Sequence, residues 1–131
     1  MTTYEKLLDE AYNNGLTVKE KPLQSGDGRI YNNRIAIRES IETTACKACV
    51  LAEELGHYYT SAGDILNQDN SNNRKQENIA RKWAYEEILP VENILFAAQD
   101  GHTDIWDMAE YLEVDEAFLK DALRHYGILD I

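Results

Sequence analysis

Leu51–Thr60 reads LAEELGHYYT and lies within a run that the spacing of apolar residues predicts to be helical from about Ser40 to Ser61. Two adjacent carboxylates, Glu53 and Glu54, are followed one helical turn later by His57. On a helix, Glu53 and His57 are i and i+4, so they share a face and can converge on one ion, whereas Glu54 points about 100° around the axis. The apolar residues Ile41, Ala45, Cys49, Leu51, Ala52 and Leu55 leave this helix little surface for water, so it is expected to be central and largely buried. Charged side chains on a buried helix must be satisfied by hydrogen bonds or by a metal. Gly56, which costs about 1 kcal/mol against alanine in a helix interior, is expected either where another backbone comes close or where packing alone demands it.

The order of these groups is that of the H-E-x-x-H signature, in which two histidines bind zinc and the glutamate between them activates water. The first histidine is here Glu53. An E-E-x-x-H run also arises on any acidic helix as a solvated face, so the rest of the chain has to decide between the two.

A length of 131 residues with 44% hydrophobic content suits one domain with a real core. The formal charge of −11, from 13 Lys and Arg against 24 Asp and Glu, argues against a surface that tracks phosphates and is compatible with a basic protein partner. No stretch reaches the roughly 18 apolar residues of a membrane span, and MTTYEKLLDE has no signal-peptide pattern, so the cytosol is the expected compartment. Cys46 and Cys49 form a C-x-x-C without the second pair that a zinc ribbon needs. Placed well inside the predicted helix, and about 16 Å and about 12 Å from His57 at roughly 1.5 Å per residue, they read as core thiols.

Taken in order, Thr2-x-x-Glu5 predicts a capping box, and Tyr4, Leu7, Leu8, Ala11 and Tyr12 predict a first amphipathic helix stopped at Gly15. Leu16–Lys21 alternates as a strand. Leu23–Gly28 is a polar, mobile loop, and Arg29–Tyr31 and Arg34–Ile37 flank Asn32–Asn33 as a hairpin. Asn67–Asn73 reads as an exposed loop. A second long helix runs from about Arg74 to Leu89, with Ala80, Trp83, Ala84 and Ile88 on one face together with Glu77. Glu77 either meets a buried partner there or stands near the helix start and favours its dipole. A short helix from Pro90 to about Gln99 and two closing helices follow, the last capped by Asp115. That closing pair has helix-turn-helix rhythm but an acidic surface, which fits packing or partner recognition better than a DNA groove. His102 and His125 read as surface or cap residues. Tyr58, Tyr59 and Tyr85 line a cleft or belong to the core.

The order of parts resembles the ImmA/IrrE metallopeptidase family of small zincin-like proteins common on phages and mobile elements. The resemblance rests on LAEELGH, where the family has A-H-E-L-G-H, on E-N-I-A-R-K-W-A-Y-E-E-I-L-P, where it has E-x-x-A-x-x-F-A-x-x-L-x-P, and on the closing A-E-Y-L-E-V. It implies an α+β fold: a minimal zincin-like domain over residues 1–131, with a small N-terminal sheet and the metal-site helices in 1–90 and helices in 91–131. It also implies metal ligands at Glu53, His57 and Glu77 and a general base at Glu54. The expected ion is zinc. Carboxylate enrichment relaxes the preference towards harder ions such as Mn²⁺, and a site left without metal is the other outcome of Glu53. The implied activity is a metal-dependent endopeptidase acting on a protein, such as a helix-turn-helix repressor. The competing expectation is an inert regulator that keeps the fold and only binds.

Overall fold

The computed structural model describes residues 1–60 and 71–128. Its first helix, α1 (Thr3–Asn13), starts with the expected capping box: Thr2 Oγ1 accepts from Glu5 N at 3.1 Å and Glu5 Oε1 accepts from Thr2 N at 2.8 Å. Tyr4, Leu7 and Ala11 form its buried face, and Gly15 takes the positive φ that ends the turn after it.

Three strands follow, β1 (Thr17–Lys21), β2 (Gly28–Tyr31) and β3 (Arg34–Arg38), in the order β1-β3-β2. The hairpin between β2 and β3 is antiparallel, and Asn32 supplies its positive φ of 54°. β1 pairs parallel to β3, so β3 is the middle strand, and its Ile35 and Ile37 are buried. The loop before β2, expected to be mobile, is tied down. The Arg38 guanidinium donates to Leu23 O at 2.9 Å and to Gly26 O, and it pairs with Asp27 Oδ1 at 3.2 Å. At the other strand, Glu20 accepts from Tyr4 Oη at 2.9 Å and from Lys47 Nζ at 2.7 Å, joining β1 to both α1 and the helix that follows the sheet.

The central helix α2 (Thr44–Thr60) begins four residues later than the predicted Ser40. Thr43 is the better start signal, because its Oγ1 accepts from Cys46 N at 3.0 Å and its carbonyl from Lys47 N at 3.1 Å. The C-x-x-C therefore lies in the first turns of α2 and not well inside it. The predicted end at Ser61 lies outside the described residues. So does the first part of the expected Asn67–Asn73 loop, whereas Ser71–Asn73 already belong to α3 (Ser71–Ile88). Gly56 marks where the two helices meet. A methyl group there would stand 3.0 Å from the Ala80 carbonyl carbon, so only glycine permits this approach of backbones.

The chain closes with α4 (Val91–Gln99), α5 (Ile105–Leu112) and α6 (Glu116–His125). Pro90 precedes α4, Glu113 ends α5 in the left-handed region at φ 59°, and Asp115 caps α6 by accepting from Ala117 N at 3.1 Å. Met108, Phe118 and Leu119 join Leu51, Leu55 and Tyr85 in one core. The fold is α+β, a three-stranded sheet laid against a mainly helical body.

Candidate functional site

α2 and α3 form one wall and the floor of a cleft of about 780 Å³; the β2 edge with its preceding loop, and the start of α6, form the rest. Glu53, Glu54, His57 and Glu77 all line it. His57 is buried at 7% exposure, and its Nε2 lies 2.8 Å from Glu77 Oε2, so the two helices place a nitrogen and a carboxylate oxygen face to face. Nδ1 of His57 is buried without a hydrogen-bond partner among the described residues.

The position of Glu77 decides between the two readings of that residue. Since α3 starts at Ser71, Glu77 lies past the first turn, where the helix dipole has faded, and its specific partner is His57. The hydrogen bond between them acts on both groups: it raises His57 above its ordinary pKa against the opposing effect of burial, and it lowers that of Glu77.

Glu54 is half-buried beneath β2. A Cβ on Gly28 would stand 2.8 Å from Glu54 Oε2 and 2.8 Å from Val50 Cγ1, so the bare backbone at Gly28 is what gives this carboxylate its place. Burial pushes the Glu54 carboxyl up to about 7; the charges of Glu77 and Glu53 push the same way and His57 opposes them. Burial also raises Glu53, with Arg81 as the largest opposing influence. Arg81 was not singled out in the sequence, although its place one turn after Glu77 on α3 puts it on the same side, and it lines the cleft. Asp115, the cap of α6, and Asp121, midway along it, line the cleft as well, and only tertiary packing brings them there.

Other residues fall elsewhere. Cys49 is buried and Cys46 half-buried on the cleft wall; both thiols are free, and burial pushes Cys49 up to about 12, which leaves it inert. Tyr85 is core, against Phe118 at a ring distance of 5.2 Å, and Tyr59 packs on Trp83 at 5.1 Å. Neither these tyrosines nor Tyr58 line the cleft. His102 pairs with Asp107 and His125 with Glu86, each at 2.8 Å, away from the site.

One nitrogen and several carboxylate oxygens are donors that divalent ions accept. His57 and Glu77 bring two such donor groups face to face, here hydrogen-bonded to each other, and Glu53 stands in the same cleft. Yet among the described residues no three His, Cys, Asp or Glu side chains converge closely enough to hold one ion. The cleft thus gathers donors of the right chemistry without closing a site around an ion.

A small sheet laid on a helix that carries a carboxylate pair and a histidine, facing a glutamate from the next helix, defines a zincin-like domain. The sequence model of the IrrE N-terminal-like domain, Peptidase_M78, matches residues 11–124, and the chain belongs to this family, the ImmA/IrrE metallopeptidases. No curated protein matches it significantly.

Proposed function

We propose that the chain is a metal-dependent endopeptidase acting on a protein partner, with Glu53, His57 and Glu77 as ligands of a zinc ion, or of a harder ion such as Mn²⁺, and Glu54 as general base. The observation that carries this reading is the 2.8 Å His57–Glu77 contact between two helices, set in the same cleft as a carboxyl held near neutrality. When bound, a divalent ion supplies Lewis acidity. Glu54, with its pKa up at about 7, is matched to take a proton from water and return it to a leaving amine at neutral pH. Gly28 keeps room for that carboxylate, and the β2 edge offers unpaired backbone groups along the cleft to an extended segment. The resemblance to phage and mobile-element proteins supports a DNA-binding repressor with a helix-turn-helix as the partner, and the cytosol as the compartment. No helix among the described residues is long and apolar enough to cross a membrane.

Elemental analysis of protein purified without chelators tests the reading. One ion per chain, lost in Glu77→Ala, is expected, and Glu54→Gln should keep the ion while cleavage of the partner falls at least about 100-fold. A second reading, a regulator that binds its partner without cutting it, is favoured by one observation: Glu53 does not close a three-donor cluster with His57 and Glu77. Glu53→His separates the two. It tightens zinc binding and raises cleavage in a peptidase, and it changes neither in an inert binder.

A further inference from the structure

α4 and α5 leave large apolar side chains in water. α4 buries Ile94 and Ala97 but leaves Leu95 52% and Phe96 63% exposed, and α5 buries Met108 and Ala109 but leaves Trp106 60% exposed. One such residue is ordinary on a protein surface, whereas three on two consecutive helices that pack together leave apolar area that no described residue covers. The charge around it is one-sided. From Trp83 to Leu119 there are six glutamates and four aspartates and no lysine or arginine, and Glu92, Asp100, Asp104 and Glu110 are exposed on or beside these two helices. None of the cleft lining comes from α4 or α5.

We infer that the α4–α5 hairpin is a docking surface for a basic amphipathic segment of a partner protein, one with apolar anchors at helical spacing flanked by lysines or arginines. The exposed aromatic and aliphatic side chains provide the area that anchors such a segment, and the acidic surround selects its charge and speeds its approach. A second copy of this chain is a poor occupant, because it would bring the same acidic rim against itself. Nucleic acid is repelled for the same reason. This surface goes beyond the cleft and stands whether or not the cleft cleaves.

The test uses the full chain and two fluorescein-labelled helical peptides of the same apolar pattern, one with lysine and one with glutamate at its polar positions, read by fluorescence anisotropy. The lysine peptide should bind and the glutamate peptide should not. Combining Leu95→Ser, Phe96→Ser and Trp106→Ser should weaken binding about tenfold or more, since truncating buried anchors removes most of an interface's affinity. Asp104→Asn with Glu110→Gln should weaken it and reduce its salt dependence. Asp9→Asn with Glu39→Gln, an equal loss of charge elsewhere, should change it by less than about twofold. Circular dichroism verifies that each variant is folded. Equal losses from the hairpin and control charge pairs, equal binding of both peptides, or unchanged binding by the serine variant would each overturn the inference. So would a sedimenting dimer that the serine variant dissolves, because the occupant would then be a second copy. Glu54→Gln should bind the peptide as the wild type does, so its effect on cleavage reports on the cleft alone.

Discussion

The α2–α3 pair and the α4–α5 hairpin break the rule of apolar inside and polar outside in opposite directions. α2 and α3 draw ionisable groups inward: His57 is buried, Glu53, Glu54 and Glu77 are half-buried, and all four share one cleft. The hairpin does the reverse, sending Phe96 and Trp106 outward among exposed carboxylates. Each departure opposes folding or solubility on its own, and such departures are expected where function requires them. They differ in what holds them. The buried charges rely on tight packing between helices, whereas the outward apolar groups have no cover among the described residues.

The tightness of the first region can be broken at Gly56. Its Cα faces the Ala80 backbone, which cannot move aside as a side-chain end would, so Gly56→Ala must push α3 away from α2. We expect a loss of about 3 kcal/mol in chemical denaturation, the upper end for overpacking, together with rupture of the His57–Glu77 contact. A neutral or stabilising Gly56→Ala would mean that the two helices do not meet there and that the cleft is not held by this contact.

Legibility in the sequence follows the same division. The capping box at Thr2, the Asn32–Asn33 hairpin and the apolar stripes of the closing helices could be read because each rests on neighbours in sequence. Glu54, His57 and Glu77 could be set on two helices by periodicity and motif, and Gly56 announced the close approach without naming Ala80. The parallel pairing of β1 with β3 could not be read, since period-two alternation carries no partner. Arg38 reaching back over the Leu23–Gly28 loop, and Asp115 and Asp121 entering the cleft from α6, depend on contacts distant in sequence. The predicted start of α2 at Ser40 lies ahead of the Thr43 cap because apolar Ile41, two residues before the cap, continues the periodicity.

A smaller effect sharpens the comparison through pH. The raised pKa values of Glu54, Glu53 and His57 mean that the folded chain holds these protons more tightly than the unfolded one, so their contribution is fully present at low pH and is lost as pH rises through the folded values. Glu77, lowered, acts in the other direction: its contribution is present above the ordinary carboxylate range and is lost only as pH falls below it. For Glu54, moved from 4.5 to about 7, the loss between acid and neutral pH is at most about 3 kcal/mol. Metal-free protein should therefore be more stable near pH 5 than near pH 8. Glu54→Gln should flatten that slope and gain about 1–2 kcal/mol at neutral pH, less than the full amount because its amide must still be desolvated. Urea unfolding of both proteins across this range checks it; parallel slopes would place Glu54 in water.

The smallest expected effect lies in the hairpin, and its smallness is what gives it force. Phe118 and Phe96 are the two phenylalanines of the chain, one 5% and the other 63% exposed, one on α6 inside the core and the other on α4 facing out. Truncating Phe118 to alanine removes a ring packed on Tyr85 and should cost about 3–5 kcal/mol. Phe96→Ser removes a ring that touches mainly water, so the same measurement should move by no more than about 0.5 kcal/mol. It should also raise solubility, because an exposed apolar group is exchanged for a polar one with no change in charge. A ring that does nothing for the fold, on the same pair of helices as exposed Leu95 and Trp106, is the sense in which the hairpin differs from the cleft. Should Phe96→Ser cost more than about 1 kcal/mol, the ring would be packed by the chain itself, the α4 face would already have its cover, and no partner would be needed to account for it.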